Sequence, residues 1–363
     1  MSPAPGREEI LTALAAVDDP ELRRSIVDLG MVGDVDIADD GRVSVAIKLT
    51  VEGCPLRAEI QKRVSTALIA VPGVSGAAVR LDTMTDAERA EMRGGLSAGL
   101  DVSSPFSDAG SATRVIAVAS GKGGVGKSSV TANLALALAD QGHSVGVMDA
   151  DVFGYSIPRI LGVERAAVTV EDLMIPIEAF GVRVFSIGCL TEEDSPVIWR
   201  GPMLHKALTS FVTEVFWDEP DYLLVDLPPG TGDVALSIAQ LLPKAAMIVV
   251  TTPQLAAQRV ARRAAAMADR VDLPVVGVIE NMSWFIAPDT GARYEVFSGG
   301  GGQALARELD VPLLAQVPLE PAVALGGDSG LPIVHGSPDS AAAKAMRRAA
   351  DGLRTALAPD ATT

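Results

Sequence analysis

An α/β fold is what this sequence predicts: a largely parallel sheet with helices on both faces, preceded by a small α+β domain. Three observations carry that expectation. From Arg114 onward, short apolar runs alternate with helical stretches, the rhythm of a parallel sheet joined by crossover helices. The first run and the first helix are separated by Gly121–Ser128, which reads G-K-G-G-V-G-K-S and fits the loop that wraps a nucleotide triphosphate. Two later runs end on acidic residues, at Asp149 and Asp226, where a parallel sheet presents its chemistry.

The elements follow in order. Residues 1–83 read as the small α+β domain. Arg7 to Val17 has helical character, and Val32–Ile37 and Val43–Leu49 are strands about the turn Asp39-Asp40-Gly41. Leu56, Ile60, Val64 and Leu68 share one face of a helix over 55–70, and Val74–Leu81 is a further strand. Residues 84–113 change character. Asp86–Met92 suits a short helix, and the glycines and serines beyond it suit a linker. Residues 114–363 form the nucleotide-binding domain, with strand cores at 115–118, 145–148, 182–187, 222–225, 246–250, 275–279 and 313–317. The tail, Asp339–Ala358, is an alanine-rich helix whose few large apolar residues suit docking, not membrane anchoring.

Composition narrows the function. At 363 residues with 48% apolar content, two domains with real cores are expected. A net charge of −16 argues against a general nucleic-acid binder. No apolar run is long enough to span a bilayer, and the first residues lack the layout of a signal peptide. Two distant cysteines, Cys54 and Cys189, exclude a disulfide framework. A cytoplasmic chain with no membrane partner is expected.

The loop chemistry can be read residue by residue. Glycines at 121, 123, 124 and 126 let the backbone around Val125 curl, so that its N–H groups point at phosphate oxygens. Lys127 supplies a point charge for the β- and γ-phosphates, Ser128 a hydroxyl for Mg²⁺, and Ser129 a further polar group at the helix start. The helix N-terminus favours the bound anion. A dinucleotide reading fits less well, because Lys122 and Lys127 suit a triphosphate better than a pyrophosphate on bare backbone. The arginines at 259, 262, 263 and 270 read as a solvated stripe.

Taken together, Lys122 with Lys127, Asp149-Ala150-Asp151, the run Asp226–Asp233 and Glu280–Ser283 resemble the Mrp/NBP35 family of deviant Walker A ATPases. These belong to the SIMIBI-type P-loop NTPases, relatives of nitrogenase iron protein, MinD and ParA. Pro196–Pro202 looks like a segment peculiar to the Mrp branch. Asp19–Leu22, Ser25–Met31 and Gly53–Leu56 resemble the MIP18-like (DUF59) domain, often fused ahead of it. The resemblance implies an iron–sulfur cluster carrier that binds and slowly hydrolyses ATP and delivers clusters to apoproteins. It implies a homodimer in which Lys122 reaches the partner's phosphates. Lys127 and Asp151 act in catalysis, Asp151 orienting the attacking water. Ser128 and Asp226 serve Mg²⁺, Asp226 through water, and Asn281 meets the base. Asp149 takes a place in either shell, and Asp151 and the 227–233 loop sense the γ-phosphate.

The sequence departs from that family at one point. A Cys-x-x-Cys that normally holds a shared [4Fe–4S] cluster aligns here with Ala287 and Thr290. Cys54, ahead of Pro55 and the helix over 55–70, becomes the candidate thiolate ligand, since a helix N-terminus favours the anion. Cys189 reads as a buried structural thiol, and His143, His205 and His335 as structural. Two alternatives to a carrier stand: a positional switch of the MinD or ParA kind, and a cluster-assembly adaptor that carries no cluster.

Overall fold

A computed structural model describes residues 5–50, 56–97, 106, 110–152, 154–163, 165–190, 201–230, 233–287, 289–297 and 299–358. The chain forms two compact units. The first comprises Met1–Leu100 with Ala167–Pro176, the second Asp101–Ala166 with Ile177–Thr363.

The first unit contains α1 (Arg7–Ala15), β1 (Val32–Ile37), β2 (Arg42–Leu49), α2 (Arg57–Ile69), β3 (Gly76–Thr83) and α3 (Asp86–Ser97). β2 lies centrally, antiparallel to β1 and parallel to β3. The expected Asp39–Gly41 turn joins the first pair, with Gly41 at a φ of 80°. Helix α2 buries Ile60, Val64 and Leu68, the face its spacing predicts. Helix α3 is longer than the short helix expected there. Thr85 and Glu88 form a reciprocal cap at its start. Lys48 on β2 pairs with Glu88, and Met92 and Leu96 are buried. The cap and these anchors carry the helix to Ser97, through the first part of the stretch that resembles a linker.

The second unit begins with β4 (Arg114–Ser120), α4 (Lys127–Ala139), β5 (Val145–Asp149) and α5 (Ile157–Ile160). Next come β6 (Val168–Val170) and β7 (Leu173–Ile175), an antiparallel hairpin that belongs to the first unit. Its Val168, Val170 and Ile175 line one cavity with Leu22, Met31, Leu49 and Ile60. Arg93 on α3 pairs with Asp172 at 2.5 Å. The sequence reading missed this hairpin, because strands of three residues carry no measurable alternation.

The remaining elements are β8 (Ile177–Ala179), β9 (Val182–Ser186), α6 (Gly201–Thr213), β10 (Tyr222–Asp226), α7 (Asp233–Leu241), β11 (Ala246–Thr251), α8 (Leu255–Arg270) and β12 (Val275–Glu280). They are followed by β13 (Phe285–Ile286), β14 (Arg293–Tyr294), α9 (Gly301–Glu308), β15 (Leu313–Gln316), α10 (Pro321–Asp328), α11 (Ile333–Gly336) and α12 (Ala341–Ala356). The main sheet has the order β15-β12-β11-β4-β10-β5-β9-β8. Its strands are parallel except for the antiparallel edge strand β8.

Each expected strand of this sheet is present, and burial explains why the runs were visible. The sheet is covered on both faces, so β5, β9, β10 and β11 are buried at every position. Helix α4 is likewise buried almost all round, from Val130 to Leu138, which fits its lack of a polar face. Helix α12 docks through Ala342, Ala345, Met346, Ala349 and Leu353. No helix among the described residues is long and apolar enough to cross a membrane.

Candidate functional site

The chain reverses its direction of travel across the sheet at β4. β5 and β9 lie on one side beyond β10, and β11, β12 and β15 lie on the other. A crevice opens at the carboxyl ends where strand order reverses, and the Gly121–Ser128 loop leaves β4 at that point. Two close approaches explain its glycines. A Cβ on Gly121 would come within 2.3 Å of the Ala261 backbone nitrogen on α8. Gly126 has a φ of 78°, and a Cβ there would meet Asn281 Nδ2 at 2.4 Å. Asn281 Nδ2 donates to the Val125 carbonyl at 2.9 Å. The residue expected to meet the base therefore also braces the loop.

Asp226 is the hub beneath the loop, and it is fully buried. Lys127 Nζ lies 2.6 Å from its Oδ2 and is itself almost wholly buried. Ser128 Oγ donates to the same oxygen at 2.6 Å, and Thr131 Oγ1 donates to Oδ1 at 2.7 Å. Lysine, serine and carboxylate thus converge beneath the loop. Thr131 was missed. Its signal was available: it stands one helical turn after Lys127, on the same face. Lys122 turns aside and donates to Gln254 Oε1 at 3.1 Å.

The second acidic strand end is arranged differently. Asp149 is fully buried and level with Asp226 on the neighbouring strand. Its Oδ1 accepts the Asp151 N–H at 3.1 Å, and its Oδ2 accepts the N–H groups of Ser156 at 3.1 Å and Ile157 at 3.2 Å. Burial first, and the neighbouring Asp226 second, push the Asp149 carboxyl above the ordinary carboxylate range. Asp151 Oδ1 accepts the Gly154 N–H at 3.2 Å, closing a turn beyond the strand.

Glu280 is another buried carboxylate, present in the Glu280–Ser283 motif but given no role there. Its Oε2 accepts the Gly302 N–H at the start of α9, and its Oε1 accepts from Gln316. A Cβ at Gly302 would come 2.5 Å from the Glu280 Cβ. Gly302, in the first turn of α9, thus lies against this side chain, through a contact 22 residues apart in sequence.

The remaining candidates separate clearly. Cys54 lies outside the described residues, as do 196–200 of the Mrp-like segment and Thr231 and Gly232 of the 227–233 loop. Cys189 is buried, and burial pushes its thiol up to about 11. It is therefore a thiol rather than a thiolate at neutral pH, which agrees with its structural reading. Ala287 and Thr290 belong to a tight turn in which the Gly291 N–H donates to the Ala287 carbonyl at 2.8 Å. Beside it, the Arg293 guanidinium sits 3.9 Å from the centre of the Trp284 ring. Among the described residues, no group of three or more His, Cys, Asp or Glu could hold a metal ion.

Comparison with known proteins fits this geometry. Residues 111–354 match the family described as NUBPL iron-transfer P-loop NTPase, and residues 7–81 match the iron-sulfur cluster assembly protein family. The chain is 52% identical to the iron-sulfur cluster carrier protein of Mycobacterium tuberculosis over 353 residues, covering 95% of this chain and 92% of the relative. It is 40% identical to the carrier of Bacillus subtilis, covering 86% and 88% of the two chains. The nucleotide-binding protein of Archaeoglobus fulgidus, solved with ADP, matches 60% of this chain and 87% of its own, at 35% identity and a TM-score of 0.54. With most of its length matched and half its residues shared, this chain belongs to the NUBPL-type iron-transfer P-loop NTPase family.

Proposed function

We propose that this protein is an iron–sulfur cluster carrier that binds and slowly hydrolyses ATP. One observation supports the ATPase reading most directly: Lys127, Ser128 and Thr131 converge on the buried Asp226 beneath a loop whose Gly121 and Gly126 admit no side chain. This donor set fits Mg²⁺ and a triphosphate. Ser128 would hold the ion directly and Asp226 through water, with Lys127 turning from Asp226 toward the phosphates. Bound there, the ion neutralises charge on the phosphate oxygens. Gly121, Gly123, Gly124, Val125, Gly126 and Ser129 supply the cradle, and Asn281 meets the base. Asp151 orients the water, and Lys122 leaves Gln254 to reach the phosphates of a second copy.

The cluster is cargo. The carrier reading rests on relatives named as carriers across both units, with Cys54 as candidate ligand. A rival reading, an adaptor or MinD-like switch without cluster, is favoured by Ala287 and Thr290 standing where the family carries cysteines. Anaerobic reconstitution with iron and sulfide separates them. The carrier reading expects bound iron with visible absorption, lost in Cys54→Ala, retained in Cys189→Ala, and transferred to an apoprotein on mixing. Iron no higher than in the double cysteine variant would leave the adaptor.

A further inference from the structure

Of the two buried aspartates at the sheet's carboxyl edge, Asp226 takes the hydrogen bonds of Lys127, Ser128 and Thr131. Asp149 has neither Lys127 nor Ser128 as a hydrogen-bond partner; those two groups are bonded to Asp226. Its own oxygens gather donors from a different stretch of chain: the backbone of Asp151, and Ser156 and Ile157 at the start of α5. A fourth donor, Ser186 Oγ at the end of β9, lies 3.4 Å from Oδ2. Strand pairing sets this up, because Asp149 is level with Asp226 on one side and Ser186 on the other. The same turn is held a second way: Tyr155 packs so closely over Gly188 that a Cβ there would lie 2.4 Å from its ring.

We propose that Asp149 is a positioning residue for hydrolysis: by gripping the Asp151 backbone and the first turn of α5, it fixes Asp151 at the nucleotide site without touching nucleotide or metal. This rests on the reading of Asp151 as the group that orients the attacking water. The physical reason is directional. An aspartate offers two oxygens as acceptors and can satisfy several N–H groups at once. An asparagine of the same shape would turn an NH₂ toward one of them. A small misplacement of an orienting group costs turnover far more than it costs binding.

The test is Asp149→Asn, followed by steady-state kinetics and by amide hydrogen exchange in the full chain. The expected result is a KM for MgATP and a Mg²⁺ requirement close to wild type, with kcat lower by roughly 10- to 100-fold. The amides of Asp151, Ser156 and Ile157 should exchange faster, and those of β4 should not. A changed Mg²⁺ requirement, or a raised KM with kcat intact, would make Asp149 part of the binding machinery and overturn the proposal. So would unaltered exchange at those three amides. If Asp149→Asn does not fold, Ser186→Ala removes the fourth donor, together with the acceptor that Ser186 Oγ offers the Gly188 N–H at 3.3 Å. It should shift both readouts the same way by less, and no shift in either overturns the proposal. Asp151→Asn is measured alongside. Full turnover in that variant would remove the catalytic reading of Asp151, while the exchange data would still decide what Asp149 holds.

Discussion

Lys127 and Asp226 form a buried charge pair: Lys127 is nearly buried and neutralises Asp226 at 2.6 Å. Removing one partner of a buried pair leaves the other charge uncompensated, which costs about 3–5 kcal/mol. Lys127→Ala should therefore lower the unfolding free energy of the nucleotide-free protein by about 3 kcal/mol in urea titration. It should also weaken MgATP by roughly 10- to 100-fold in equilibrium binding, because a charge-assisted hydrogen bond contributes about 1.5–3 kcal/mol. Unchanged stability would mean that the pair is not formed in solution. The lysine, the serine and the aspartate were readable as a motif in the sequence. Their mutual arrangement was not, since it depends on which acceptor each finds across some hundred residues of chain. Thr131 passed unseen, and Glu280 had no role assigned, for a related reason: each acts through a partner distant in sequence, Asp226 and Gly302.

At the level of elements, the core strands were evident because burial on both faces makes them continuous apolar runs. The boundaries that slipped are those set by contacts. Helix α3 extends to Ser97 because Lys48, Met92 and Leu96 anchor it, and the β6–β7 hairpin exists because its apolar side chains find the first unit. Two changes probe element packing. Gly121→Ala would drive a Cβ into the α8 backbone. It should cost about 1–3 kcal/mol by overpacking, read as a lower urea midpoint. Leu353→Ala on the wholly buried face of α12 should cost roughly 2–5 kcal/mol by the same measurement. A smaller loss would mean that α12 is not docked as described. Helix α3 can be tested by acid. Its hydrogen bond to Lys48 holds the Glu88 carboxyl down to about 2 from an ordinary 4.5. A depressed folded-state pKa contributes stability above the unfolded value, and that contribution fades as pH falls. Glu88→Gln should therefore melt lower than wild type at neutral pH. The gap should close between about pH 4.5 and about 2 and not in the alkaline range.

Across the whole molecule, the family and the P-loop fold could be read from the motifs, and the matches over both units agree. What a linear reading could not deliver is the first unit's second segment: Ala167–Pro176 is separated in sequence from the rest of that unit. Nor could it place a cluster. Ala287 and Thr290, aligned in sequence with the family's cysteine pair, lie within a closed turn, and Cys189 is a buried thiol. The central claim remains that the carboxyl edge of the main sheet is an ATPase site completed by a second copy through Lys122. The most direct measurement is ATP turnover per protein as a function of protein concentration, for wild type and Lys122→Ala. The account predicts that specific activity rises with concentration toward a plateau in wild type and stays near background in Lys122→Ala, with MgATP still bound by the variant. Turnover independent of concentration, and intact in Lys122→Ala, would contradict it.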